Sequence, residues 1–134
     1  MKFEEFEEFV ETEPNLKQSL EQAVSGVHPS GSETLSFDMV STAAGLGALV
    51  ILFPVINRIV RQIGLPWLKT LENYSELWRK RVEQWIDEQY EQRGFDPETT
   101  RAASESLLKE LQETTDTETR SAWERLLDLL KHDE

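Results

Sequence analysis

A run of nineteen residues without a formal charge, residues 39–57, constrains this chain more than any other feature. It lies between Asp38 and Arg58, in a chain of 134 residues of which 30% are charged. A helix of that length measures about 28 Å, close to the roughly 30 Å hydrocarbon thickness of a bilayer. A helix that is apolar on all sides belongs either in a membrane or in a protein core. The first question is therefore which of the two this run occupies.

The residues that follow the run favour a membrane span. After Pro54 the pattern becomes amphipathic, and Arg58 and Arg61 stand where long basic side chains reach lipid headgroups. Trp67 stands where an aromatic belt residue is expected. We therefore predict a transmembrane helix within residues 36–64, with these three residues at the membrane interface. The alternative is a core helix that arginines merely flank.

The distribution of basic residues predicts an orientation for such a span. Only Lys2 and Lys17 precede the run, whereas six basic residues follow it between residues 58 and 81. Because cytoplasmic flanks carry the excess of lysine and arginine, the C-terminal part is expected in the cytosol. A single-pass membrane location follows, or a cytoplasmic one if a partner protein buries the apolar helix.

Small residues in the run are spaced for close helix packing. Ser41 and Gly45 stand four residues apart, as do Ala44 and Ala48. Small side chains at this spacing let the backbones of neighbouring membrane helices approach each other. We predict that Ser41, Ala44, Gly45 and Ala48 form a packing face for self-association or for partner helices.

The net charge of −12 argues against nucleic acid as a partner. Binding a phosphate backbone requires basic side chains gathered on one face, but residues 1–35 carry two lysines and eight glutamates. A protein that mimics DNA with its own carboxylates remains a weaker third interpretation, since acidity alone commonly serves solubility.

Amphipathic helices are predicted on both sides of the run. Residues 1–35 form an acidic segment, in which one helix ends near Pro14 and a second begins there, followed by a linker rich in glycine, serine and proline. Residues 65–134 form a helical region: one helix from Trp67 to Arg93, then a C-terminal hairpin with start signals at Asp96 and at Asp116 or Thr115. The expected fold class is all-α.

An aromatic stripe on the helix after the run is a candidate partner interface. Its members recur at steps of three and four residues: Leu71, Tyr74, Trp78, Val82 and Trp85. Large buried aromatic side chains are usual interface anchors. The same stripe could instead pack on the C-terminal helices.

No constellation of residues in the sequence indicates catalysis. There is no cysteine, and the two histidines, His28 and His132, have no partner motif. Paired carboxylates on helix faces occur without the Glu-x-x-His motif of di-metal bundles, and phosphate-binding glycine loops and nucleophile elbows are missing. We expect no cofactor, no metal and no enzymatic activity.

Two functions remain from the sequence. The first is a small non-enzymatic membrane protein, whose central helix self-associates or packs with partner helices and perturbs or permeates the bilayer under control of its helical soluble parts. The second is a soluble helical adaptor or regulatory subunit, whose apolar helix is buried by a partner protein.

Overall fold

A computed structural model describes residues 1–25, 49–68, 72–93 and 97–132 of the chain. Every regular element in these ranges is a helix, which confirms the all-α class. The helices are α1 (Phe3–Thr12), α2 (Pro14–Ser25), α3 (residues 49–63), α4 (Tyr74–Arg93), α5 (Pro97–Glu113) and α6 (Thr117–His132). Within α3, a first part (Leu49–Val55) is followed by a π-helical segment (Ile56–Val60) and a last α-helical turn (Arg61–Ile63).

The first two helices follow the sequence signals closely. Phe6 and Val10 of α1 are fully buried, as their helical spacing predicts. Pro14 is the first residue of α2, where a missing backbone N–H costs nothing. The buried face of α2 consists of Leu16, Ser19, Leu20 and Ala23.

Asp116 caps the last helix, as predicted. Its carboxylate oxygen Oδ2 accepts hydrogen bonds from the backbone N–H and the hydroxyl of Thr119, at 3.0 and 2.9 Å. The N–H groups of a helix's first turn have no partner within the helix, so an acceptor at this position stabilises its start. The second start signal, Asp96, lies outside the described residues.

One prediction about the C-terminal half was wrong. The fourth helix begins at Tyr74 rather than at Trp67, because residues 66–68 form a turn; in this turn the Leu68 N–H bonds to the carbonyl of Leu65 at 3.1 Å. In the last helix, Leu129 is 42% exposed. At 100° per residue it lies at the edge of the apolar stripe of α6.

One hydrophobic core joins all three predicted segments of the chain. It contains buried side chains from α1 and α2, from α3 and from α4 to α6. Residues 49–57 of the uncharged run belong to α3, whereas residues 39–48 lie outside the described part. Among the helices that the structure describes, none is long and apolar enough to cross a membrane.

Candidate functional site

The central helix α3 is the candidate functional element, because it carries the apolar run and contacts every other helix of the described bundle. Its first part packs against α1, α2 and α5. The π-helical segment packs against α4, and the last turn packs against α4 and α6. Six aliphatic side chains are buried in the part of α3 whose burial is described: Leu52, Val55, Ile56, Ile59, Val60 and Ile63. A helix surrounded in this way needs apolar residues on most of its sides.

A proline and a change of helix type occur together in the middle of α3. Pro54 lies inside the helix and has no N–H, so one intrahelical hydrogen bond is lost there. Directly after it the helix widens into the π-helical segment Ile56–Val60. Such segments are rare and are found frequently at functional sites. The winding of the helix thus changes two residues after Pro54.

The C-terminal end of α3 is fixed by a glycine and a tyrosine. Gly64 has a φ of 96°, a backbone conformation that favours glycine, and its N–H bonds to the carbonyl of Val60 at 2.6 Å. The Tyr74 hydroxyl donates a 2.6 Å hydrogen bond to the Gly64 carbonyl. This pair is buried and connects the end of α3 to the start of α4. Burial raises the pKa of the Tyr74 hydroxyl above its ordinary value.

Three aromatic rings pack between the first part of α3 and α1. Phe53 contacts Phe6 with ring centroids 4.9 Å apart, and Phe3 in an edge-to-face arrangement at 5.7 Å. Aromatic pairs at these distances are worth about 0.5–1.5 kcal/mol beyond the area they bury. The stripe on α1, which needed an apolar partner, therefore finds it in the uncharged run.

The predicted membrane-interface residues have other neighbours in this fold. Arg58 pairs with Glu88 of α4, with Nη2 and Oε2 2.8 Å apart. The guanidinium of Arg120 lies over the Trp67 ring, 5.1 Å from its centroid, an arrangement that attracts a cation to the ring face. Arg61 is half-buried. No lipid contact is needed to place Arg58 or Trp67.

The predicted partner-interface stripe lies inside the bundle. Trp78 is fully buried, and Tyr74, Val82 and Trp85 are at most 5% exposed. The indole N–H of Trp78 donates to the Ser104 hydroxyl of α5 at 2.6 Å. The helix that carries the stripe packs on α5 and on the later part of α3, so the buried members of the stripe offer another protein almost no surface while the bundle is folded. Leu71 lies outside the described residues, as do Ser41, Ala44, Gly45 and Ala48 of the predicted packing face.

A buried polar network connects α2, α5 and α6 and was missed by the sequence analysis. The Ser19 hydroxyl accepts a hydrogen bond from the Trp123 indole N–H and donates one to Glu110, both at 2.9 Å. Ser19 is 3% exposed. The sequence did contain a sign of this network, a serine between Leu16 and Ala23 on the apolar stripe of α2. A hydroxyl buried at that position requires hydrogen-bond partners.

Several exposed arginine–glutamate pairs bridge neighbouring helices. Arg125 of α6 forms a two-pronged contact with Glu13, at 2.7 and 2.9 Å, and this hydrogen bonding lowers the pKa of Glu13. Arg101 pairs with Glu83 in the same way, and the pKa of Glu83 is likewise lowered. Exposed pairs contribute little to stability, about 0–1 kcal/mol each. Their role here is to set which helices lie side by side.

An open groove of about 720 Å³ runs along α5. Gln22 of α2 and Arg79 of α4 line its sides, and the rest of its lining comes from α5. Arg79 Nε lies 2.8 Å from Glu105 Oε1, so these two charged side chains of the groove pair with each other. Small-molecule sites are mostly apolar with a few placed polar groups, a description that this groove does not fit.

Neither metal chemistry nor a known family gives the site an activity. Within the described ranges, no three histidine, aspartate or glutamate side chains are grouped so that they could hold a metal ion. Comparison of the chain with models of protein families, with curated proteins and with solved structures returned no match. Functional inference therefore depends on α3 and on the run that leads into it.

Proposed function

We propose that this chain is a non-enzymatic membrane effector that acts through its uncharged run, residues 39–57. The observation that carries the proposal is the length of that run, which approaches the thickness of a bilayer core as a helix. Its apolar side chains would favour insertion by about 3–5 kcal/mol on the translocon scale, before the cost of its glycines, polar residues and proline. That margin is small, as suits a segment that enters a bilayer conditionally.

The flanking charges support one orientation in the membrane-bound state. With six basic residues between residues 58 and 81 against two before the run, residues 65–134 would stay in the cytosol. Ser41, Ala44, Gly45 and Ala48 would then provide the contact face between copies of the span. Assembly of several spans would perturb or permeate the bilayer.

Membrane fractionation with a carbonate wash tests this proposal. The test variant carries Val40→Arg and Leu46→Arg, two charges in the part of the run that precedes α3. The matched control carries Gln62→Arg, an exposed position in the last turn of α3. We expect the wild type and the control to stay in the washed membrane and the double variant to be released. Release of all three would rule out a span.

A second candidate function, a helical adaptor, is favoured by a different observation. Leu52, Ile56 and Ile59 are already covered by the chain's own helices, so α3 requires neither lipid nor partner in this state. The groove along α5 is then the surface available to another protein. Trp78→Ala would test folding rather than binding, because Trp78 is in the core.

The adaptor is tested at its surface instead. Ala102, which is half-buried in the groove, is replaced by arginine, and Lys131 on α6, which is exposed and does not line the groove, is replaced by alanine as control. If the chain is an adaptor, Ala102→Arg loses a co-purifying partner and Lys131→Ala keeps it. Neither variant should need detergent for purification. If both variants retain the partner equally, the groove is excluded as its binding site.

A further inference from the structure

The position of α3 sets a condition on any membrane-bound form of this chain. Its six buried aliphatic side chains lie among five other helices. Leu52, Val55 and Ile56 are both part of the uncharged run and part of this core. A side chain that packs in the protein core cannot at the same time face lipid.

The length of the run shows why these residues matter. If the folded bundle keeps residues 52–57, thirteen residues of the run are left, and as a helix they would measure only about 20 Å. That is about 10 Å shorter than the hydrocarbon core of a bilayer. The run spans a bilayer only when residues 52–57 are included, so α3 must leave the bundle.

Departure of α3 removes the common neighbour of all the other described helices. Its contacts with them include the ring cluster of Phe53, the hydrogen bond from Tyr74 to Gly64 and the ion pair of Arg58 with Glu88. Losing the central helix exposes apolar faces of α1, α2, α4, α5 and α6 together. A local opening that releases α3 alone is therefore disfavoured.

We propose that the folded bundle is an autoinhibited state, in which the other helices hold the membrane-active segment, and that opening of the whole bundle controls membrane entry. The inference rests on the membrane function proposed above and adds how that function is regulated. Contacts that do not involve α3 also control membrane entry, because any contact that stabilises the bundle helps to keep α3 inside it. The Ser19–Trp123–Glu110 network is such a contact.

Control of membrane entry by contacts outside α3 is tested by lowering the stability of the bundle and measuring vesicle binding. Ser19→Ala removes the hydroxyl shared by Trp123 and Glu110, and Lys131→Ala on the exposed face of α6 is the control. Binding of the full chain is measured on vesicles of phosphatidylcholine, because a net charge of −12 would repel anionic lipid. When the binding-competent state is rare, apparent affinity rises in proportion to its population.

We therefore expect the affinity for vesicles to increase in proportion to the unfolding equilibrium constant when the wild type, Ser19→Ala and Lys131→Ala are compared. A variant whose unfolding constant is tenfold higher should bind about tenfold more tightly, and the Lys131→Ala control should bind as the wild type does. If Ser19→Ala is destabilised in denaturant titrations but binds with wild-type affinity, control by bundle opening is excluded.

A crosslink between α3 and α4 tests retention directly. The chain contains no cysteine, and the exposed side chains of Arg58 and Glu88 meet at the α3–α4 contact. The variant Arg58→Cys/Glu88→Cys is joined by a short bismaleimide, and the same variant without the reagent is the control. We expect the linked protein to lose at least 90% of its vesicle binding. Undiminished binding of the linked protein would overturn the inference.

Failure of the inference is distinguishable from failure of the proposed function. If no form of the chain binds vesicles, including the destabilised and the unlinked variants, the membrane function itself is wrong. If binding is abolished by Val40→Arg/Leu46→Arg yet is unchanged by the crosslink and by Ser19→Ala, the membrane function holds and autoinhibition does not.

Discussion

Hydrogen bonds between single side chains that are almost fully buried join pairs of helices in the core of this bundle. Trp78 and Ser104 join α4 to α5, and Trp123 and Ser19 join α6 to α2. Each indole fills a large volume and also requires an acceptor for its N–H. Such pairs fix the register of two helices more narrowly than apolar contact alone.

The pair of Trp78 and Ser104 predicts a measurable coupling. Trp78→Phe keeps an aromatic ring and removes the N–H, which leaves the buried Ser104 hydroxyl without its donor. We expect a loss of about 1–3 kcal/mol in the free energy of unfolding. In a double-mutant cycle with Ser104→Ala, urea titration should give a coupling of about 1 kcal/mol. Strict additivity of the two substitutions would mean that the hydrogen bond contributes nothing.

Tyr74 predicts how stability depends on alkaline pH. Burial raises the pKa of its hydroxyl in the folded state above the ordinary value of about 10. Above pH 10 the unfolded chain therefore loses this proton while the folded chain keeps it, so the free energy of unfolding falls as pH rises. Tyr74→Phe should be less stable at neutral pH and should show a flatter decline above pH 10. Parallel pH profiles for wild type and variant would contradict this assignment.

Among the described helices, α3 has an unusual winding and an unusual C-terminal end. It contains a proline and a π-helical segment, and it ends at Gly64 with a positive φ. At φ 96° and ψ −174° a Cβ atom is strained, since this region of backbone space is essentially restricted to glycine. The sharp reversal that brings Tyr74 back onto the end of α3 depends on this residue.

Gly64→Ala should therefore destabilise the fold by about 1–3 kcal/mol. Gln62→Ala, two residues earlier and exposed, is the matched control, and it should change stability by less than about 0.5 kcal/mol. Thermal and urea unfolding of the two variants make the comparison. Equal stability of Gly64→Ala and wild type would show that the turn after α3 does not need its left-handed conformation.

The sequence predicted those helix starts and buried faces that are determined by residues close together in the chain. Pro14 and Asp116 mark helix starts through the chemistry of one or two residues, and the stripe of α1 follows from its spacing alone. The start of α4 was misplaced because residues 66–68 form a turn, and Trp67 packs with the distant Arg120. A sequence pattern does not show a contact made 53 residues away.

The environment of α3 could not be predicted for a related reason. A helix that is apolar on all sides has the same pattern whether lipid or protein surrounds it. The structure covers α3 along its length by combining faces of the other five described helices: α1, α2 and α5 pack on its first part, and α4 and α6 pack further along it.

At the scale of the whole molecule, folding and membrane entry compete for the same six residues, 52–57. A bundle with the usual marginal stability of about 5–15 kcal/mol keeps its open form rare. Anything that binds the folded bundle would deepen the inhibition, and anything that binds the open chain would relieve it. On this mechanism, α3 has different neighbours in the folded bundle and in the membrane-bound state.

One distance measurement tests that claim most directly. Spin labels on the Arg58→Cys/Glu88→Cys variant report the separation of α3 from α4, in free protein and in protein bound to phosphatidylcholine vesicles. These side chains are in contact in the folded bundle. We predict a short, narrow distance distribution for the free protein and an increase of more than about 10 Å, one helix diameter, for the bound protein. A bound protein that keeps the short distance would contradict the account.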